Sequence, residues 1–109
     1  FVGTTTQAQK LLKEYYPNGQ VKLEGIKLEN NLEHGLWIKY YENGQIEMEL
    51  SYKEGVKHGP FISYLENGNI ESMGTYRNDK LDGMVVFFNE FTQKIETVGK
   101  MKQGSQIGT

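Results

Sequence analysis

The chain has 109 residues, 12 Lys and Arg against 14 Asp and Glu, a net charge of −2 and no cysteine. That length fits one domain, but a 37% hydrophobic share is lean for the thick shared core of a two-layer globule. The composition excludes disulfides, thiolate metal sites, a basic stripe for nucleic acid and an apolar run near the ~20 residues of a bilayer-spanning helix.

In chain order, residues 1–9 read as a leader, and repeat-like sequence begins at residue 10. "KLLKEYYP" at 10–17 reads as a worn first strand; a short helix over 6–14 is the competing reading. Asn18-Gly19 then turns the chain, and "IKLENNLEHG" forms a longer turn. "GLWIKYYE" and "QIEMELSYK" follow as two strands around Asn43-Gly44, joined by "EGVKH" to "GPFISYLE" and "NIESMGTYR" around Asn67-Gly68. "NDKLD" leads to "GMVVFFNE" and "KIETVGKMK", where "EFTQK" replaces Glu-Asn-Gly-Gln and adds a residue. The closing "GSQIGT" matches the opening of another long turn, with Gly104 and Gly108 spaced like Gly55 and Gly59. Asn-Gly between β-branched and aromatic runs is the strongest short hairpin signal, and it predicts two-residue type I′ loops.

Two landmarks keep one period. Gly19, Gly44 and Gly68 are 25 and 24 residues apart, and Gly35, Gly59 and Gly83 are 24 and 24 apart. The expected fold is all-β: a single elongated, twisted antiparallel sheet of stacked hairpin repeats, about eight strands, in units 10–34, 35–58, 59–82 and 83–109. Two-residue loops set the register. Trp37 faces Leu50, Tyr41 faces Ile46 and Gly35 faces Tyr52; Phe61 faces Gly74, Gly59 faces Tyr76 and Leu12 faces Gly25. Large side chains therefore lie over glycines, which explains the glycines without a ligand.

Alternation sorts the side chains into two faces. A packing face collects Trp37, Ile46, Leu50, Tyr52, Phe61, Leu65, Ile70, Tyr76, Val85 and Ile95. The other is a lane of Ile38, Tyr40, Ile62, Tyr64, Val86 and Phe88, edged by Glu47, Glu49, Glu71 and Glu96. Tyr15 and Lys22 extend the lane into the first hairpin. Few residues are left to cover that lane, and an exposed aromatic patch marks an interface.

Other chemistry has weaker grounds. His34 and His58 each precede a turn glycine, with Asp82 in the equivalent place. Such columns recur every second strand, about 9.5 Å apart, too far for one ion. The lane's glutamates share one repeated environment, whereas acid–base catalysis needs two carboxyls with different pKa values. No serine or threonine stands in a nucleophile motif, and the glycines keep a repeat period unlike a phosphate-binding loop. Asn18, Asn43 and Asn67 are expected to serve turn chemistry. No catalytic residue, metal or cofactor is expected.

The phrases "YYENGQIEMELSYKEGVKHGPF" and "YLENGNIESMGTYRNDKLDGMV" resemble MORN repeats, in the bacterial variant built on Tyr-Tyr-x-Asn-Gly and Lys-x-Gly-Lys-x-His-Gly-x-Trp. The likeness runs over about residues 10–109, in two clear copies and two worn ones. It implies a solenoid-like sheet of hairpins used for protein or lipid contact, without catalysis. Bacterial members are often classed as antitoxins of toxin–antitoxin pairs. The expected function is thus a non-enzymatic scaffold binding a protein along the lane. Its aromatics would anchor, and Glu47, Glu49 and Glu71 would select a basic partner such as a toxin. A membrane-surface or cell-envelope module is the alternative, which the acidic lane disfavours. Self-association through open sheet edges is a further expectation. The chain opens at Phe1, and neither compartment nor partner is readable.

Overall fold

The structure is a computed structural model and describes residues 8–106. All regular elements among them are strands: β1 (Gln9–Tyr15), β2 (Val21–Leu28), β3 (Glu33–Tyr40), β4 (Ile46–Lys53), β5 (Val56–Tyr64), β6 (Ile70–Arg77), β7 (Lys80–Leu81), β8 (Gly83–Phe88), β9 (Ile95–Lys102) and β10 (Ser105–Gln106). They form one antiparallel sheet ordered β1-β2-β3-β4-β5-β6-β8-β9-β10, with the two-residue β7 beside β6. Of the expected leader, residues 1–7 lie outside the described residues, as does Gly108, and Gln9 already belongs to β1. The helical reading of 6–14 gives way to this strand, because β2 offers Lys10 to Glu14 a complete ladder.

The inner parts of the expected register hold. Trp37 faces Leu50, Gly35 faces Tyr52, Phe61 faces Gly74, Gly59 faces Tyr76 and Leu12 faces Gly25. The turns differ. In the second hairpin Tyr41 N–H donates to Gln45 O at 2.8 Å and Gly44 N–H to Tyr41 O at 3.0 Å, which encloses a three-residue loop. Its positive φ falls on Gly44 (90°) and spares Asn43, so this is a type I turn with a left-handed glycine, in place of type I′. Gly19 and Gly68 repeat the pattern. The two-residue type I′ turns stand at the other end of the sheet, at Glu54-Gly55, Asn78-Asp79 and Gln103-Gly104, where both central residues have positive φ.

A bulge compensates each three-residue loop. Tyr40 faces Ile46 but Lys39 faces Met48, which leaves Glu47 as the extra residue. Lys22 and Glu71 hold the same place in the first and third hairpins, and Glu96 holds it in the last, whose loop has four residues, 90–93. One residue added in the loop and one in the strand restore the expected pairing from Lys39 inward. Between hairpins, Gly35, Gly59 and Gly83 carry positive φ where the ladder shifts.

The core is thin and one-sided. Leu28, Trp37, Leu50, Phe61 and Val85 are the buried apolar residues, joined by a Ser63–Ser72 hydroxyl pair at 2.6 Å. Trp37 lies over Gly25, and Phe61 and Val85 lie over Gly74, so aromatic and aliphatic groups bury themselves against bare backbone. The 23 Å third dimension exceeds the about 10 Å spacing of packed sheets, and is the sign of a strongly twisted single sheet.

Forward bonds stitch each of the first three turns to the next unit. Tyr16 Oη donates to Tyr40 O and Tyr41 Oη to Tyr64 O, both at 2.6 Å. Asn18 Nδ2 donates to Glu42 O, Asn43 Nδ2 to Glu66 O and Asn69 Nδ2 to Glu90 O. Asn18, Asn43 and Asn67 each accept the N–H two residues on, which holds each loop. Asn18 and Asn43 therefore serve both the turn and the stitch, while in the third hairpin the two bonds are divided between Asn67 and Asn69.

Candidate binding face

Pairing across the sheet lines up one continuous row on the face opposite Trp37: Lys13, Glu24, Ile38, Glu49, Ile62, Met73, Val86 and Val98, one from each of eight strands. A second row beside it pairs Tyr15 with Val21, Tyr40 with Ile46, Tyr64 with Ile70 and Phe88 with Ile95. Ile38, Tyr40, Glu49, Ile62, Tyr64, Val86 and Phe88 thus share the face expected of them, all half-buried.

The bulges correct the rest. Ile46, Ile70 and Ile95, expected on the packing face, join the lane opposite Tyr40, Tyr64 and Phe88. Glu47, expected on the lane, lies 3.6 Å from Lys39, the neighbour of Met48 on the Trp37 side. Glu71 accepts from Ser63 at 3.3 Å, again on the Phe61 side, and Glu96 accepts from Asn89 at 2.9 Å. In a bulge two successive side chains turn to one side, and alternation alone misses that. Leu36, Met73, Met84 and Val98 also belong to the lane and were overlooked. Stepping by two from Ile38 and Val86 finds Leu36 and Met84.

The lane carboxylates are engaged. Tyr40 Oη donates to Glu24 and Tyr64 Oη to Glu49, both at 2.5 Å, and Lys13 lies 3.7 Å from Glu24. These bonds to a carboxylate, with burial second, push both tyrosines up to about 12 from an ordinary 10.0. The third repeat of this constellation changes both members together: Phe88 replaces the tyrosine, and Met73 stands where Glu24 and Glu49 stood. An aromatic without a hydroxyl thus meets a side chain without a carboxylate. The lane is therefore graded, polar and internally hydrogen-bonded toward β1, wholly apolar from Ile62 to Val98.

Of the histidines, His34 Nδ1 accepts Glu54 N–H at 3.2 Å, and so joins successive turns, while His58 is exposed. Asp82 lies 3.8 Å from Arg77. No group of three metal-ligating side chains occurs among the described residues.

Comparison with known proteins finds the MORN repeat variant at residues 9–26, 33–54 and 57–78, over half of the chain. The chain belongs to the MORN repeat variant family. No curated protein and no solved structure matches it. MORN repeats are non-catalytic modules that bind proteins or membranes. The matched stretches end before β8, yet β8 and β9 build the same hairpin with Gln93 (φ 60°) in the place of the MORN turn glycine. Gln93 reaches back, accepting Ile70 N–H and donating to Ile70 O, and so ties the aberrant unit to the one before.

Proposed function

We propose that this MORN-repeat chain is a non-enzymatic module that binds another protein along its lane face, with an antitoxin or immunity-like role as the most specific form. The apolar half of the row, Ile62, Met73, Val86 and Val98, carries the reading. These side chains are contiguous and only partly covered, and a patch of that kind serves as an interface core. Tyr64 and Phe88 flank it as aromatic anchors. Glu24 and Glu49 at the polar end supply the preference for a basic partner, with their phenol bonds fixing the carboxylates in place.

The test is co-expression with the product of the neighbouring reading frame. Capture of that product by the wild-type chain, rescue of any growth arrest it causes, and loss of both on Ile62→Glu with Val86→Glu are expected. Rescue by the folded double variant overturns the lane assignment. Flotation with anionic vesicles is the membrane arm. Binding there without capture of protein would favour the cell-envelope alternative.

A further inference from the structure

Three Asn-Gly pairs, Asn18-Gly19, Asn43-Gly44 and Asn67-Gly68, stand exposed at the tips of three like turns. Such a pair is open to spontaneous ring closure, because glycine sets no Cβ beside the attacking nitrogen. In each turn the glycine N–H donates back across the loop: Gly19 to Tyr16 O at 2.9 Å, Gly44 to Tyr41 O at 3.0 Å and Gly68 to Leu65 O at 2.9 Å. That restraint is common to all three and does not rank them.

The carboxamides differ. Asn18 and Asn43 are held at both ends, since Oδ1 accepts the N–H two residues on while Nδ2 donates to Glu42 O at 3.0 Å and to Glu66 O at 2.9 Å. Asn67 is held at one end. Its Oδ1 accepts Asn69 N–H at 2.9 Å, and among the described residues no acceptor meets its Nδ2. The reason lies one hairpin on, where the loop is a residue longer and Glu90 O is taken by Asn69 Nδ2 at 3.0 Å. Asn69 stands where the first two turns have Gln20 and Gln45, whose side chains lean instead over Gly44 and Gly68. Leu65 stands where Tyr16 and Tyr41 donate their phenols, so the third turn has no hydroxyl stitch either.

We propose that Asn67-Gly68 is a modification site, at which the folded chain deamidates ahead of Asn18 and Asn43. Hydroxide takes the Gly68 amide proton, and the nitrogen attacks Asn67 Cγ. The new N–C bond forms, the Cγ–Nδ2 bond breaks, and Nδ2 takes a proton from water and leaves as ammonia. Water then opens the succinimide at one carbonyl or the other, giving aspartate or isoaspartate. Ring closure must swing the carboxamide onto the glycine nitrogen, which breaks two side-chain bonds at Asn18 and Asn43 but one at Asn67. One neutral hydrogen bond corresponds to about two- to tenfold in rate. Either product adds a negative charge beside Glu66. The isoaspartyl form also lengthens the main chain of a loop whose size sets the bulge at Glu71, and so shifts the Tyr64–Ile70 pair next to it. The site stands independently of any partner on the lane.

The test is incubation of the whole chain at mildly alkaline pH, folded and in guanidinium, with peptide mapping by mass spectrometry at intervals. In the folded chain residue 67 is expected to convert about two- to tenfold faster than residues 18 and 43, and in guanidinium that lead should disappear. Conversion at residue 18 or 43 as fast as at 67 would overturn the proposal. A lead that persists unchanged in guanidinium would do the same, because it would then belong to local sequence and not to the fold. Asn67→Asp, which reproduces one product, reads the missing bond directly. Its Tm should stay near that of the wild type, while Asn43→Asp lowers Tm. An equal fall in both variants would mean that Asn67 Nδ2 is bonded, and the proposal would fail.

Discussion

Gly25 and Gly99 stand at the same place in two hairpins, and a methyl group should affect them in opposite ways. At Gly25 the added carbon falls inside the Trp37 ring, so the indole must leave its seat and its bond to Ile26 O. Gly25→Ala is expected to cost about 1–3 kcal/mol in urea unfolding, the usual cost of overpacking. Gly99→Ala meets no described atom within 4 Å and should gain about 0.5–1 kcal/mol. The tyrosines set a second residue-scale expectation. Tyr40 and Tyr64 titrate near 12 when folded and near 10.0 when unfolded, so the folded chain holds the phenolic proton more tightly. Their contribution is complete below pH 10 and disappears as pH rises from about 10 through about 12. Tm measured across that window should fall for the wild type and flatten for Tyr40→Phe with Tyr64→Phe.

The turns carry the argument at the scale of elements. Asn43→Asp keeps the oxygen that accepts Gln45 N–H but sets a second oxygen against Glu66 O, where Nδ2 now donates at 2.9 Å. It should lower stability by about 1–2 kcal/mol in urea unfolding, through one lost bond and one unpaired acceptor. Glu54, at φ 47°, holds a left-handed position for which glutamate is poorly suited. Glu54→Asn is expected to raise Tm, because Asn-Gly is the preferred pair of a type I′ turn and the bond donated by the backbone N–H of residue 54 to His34 Nδ1 survives. Glycine spacing made the strands and the inner register legible in the sequence. Loop type was not, because Asn-Gly serves both type I′ and the longer glycine-bulge loop, and only the compensating bulge separates them. That bulge also explains why Tyr40, Ile62 and Phe88 fell on the expected face while Glu47 and Ile46 exchanged sides. Residues inward of the bulge keep their alternation; those at it do not.

Taken whole, the molecule is extended for its length. Its Cα radius of gyration is 16.3 Å, against about 13 Å for a compact chain of this size. Each hairpin packs mainly on its neighbours, and of the clustered buried residues Leu50 and Phe61 sit in the two middle units, with Val85 beside them on β8. Amide exchange should therefore be slowest in β4, β5 and β6 and fastest in β1 and β9, with a gradient between them. Uniform protection across all strands would contradict nearest-neighbour stability. The lane's grading, from phenol–carboxylate pairs at one end to Phe88 and Met73 at the other, likewise appears only at this scale, since no single repeat contains it.

The stitching bonds of Tyr16, Asn18, Tyr41 and Asn43 run forward, from each turn to the carbonyls of the next, and those carbonyls recur at equal intervals. Length is therefore adjustable in whole steps. Excising residues 35–58 would bring Tyr16 to the carbonyl of Tyr64 and Asn18 to that of Glu66, and Phe61 would take Trp37's seat over Gly25. A shortened chain of this kind should fold, whereas removing half as many residues takes out about one strand and leaves its hairpin partner without a ladder.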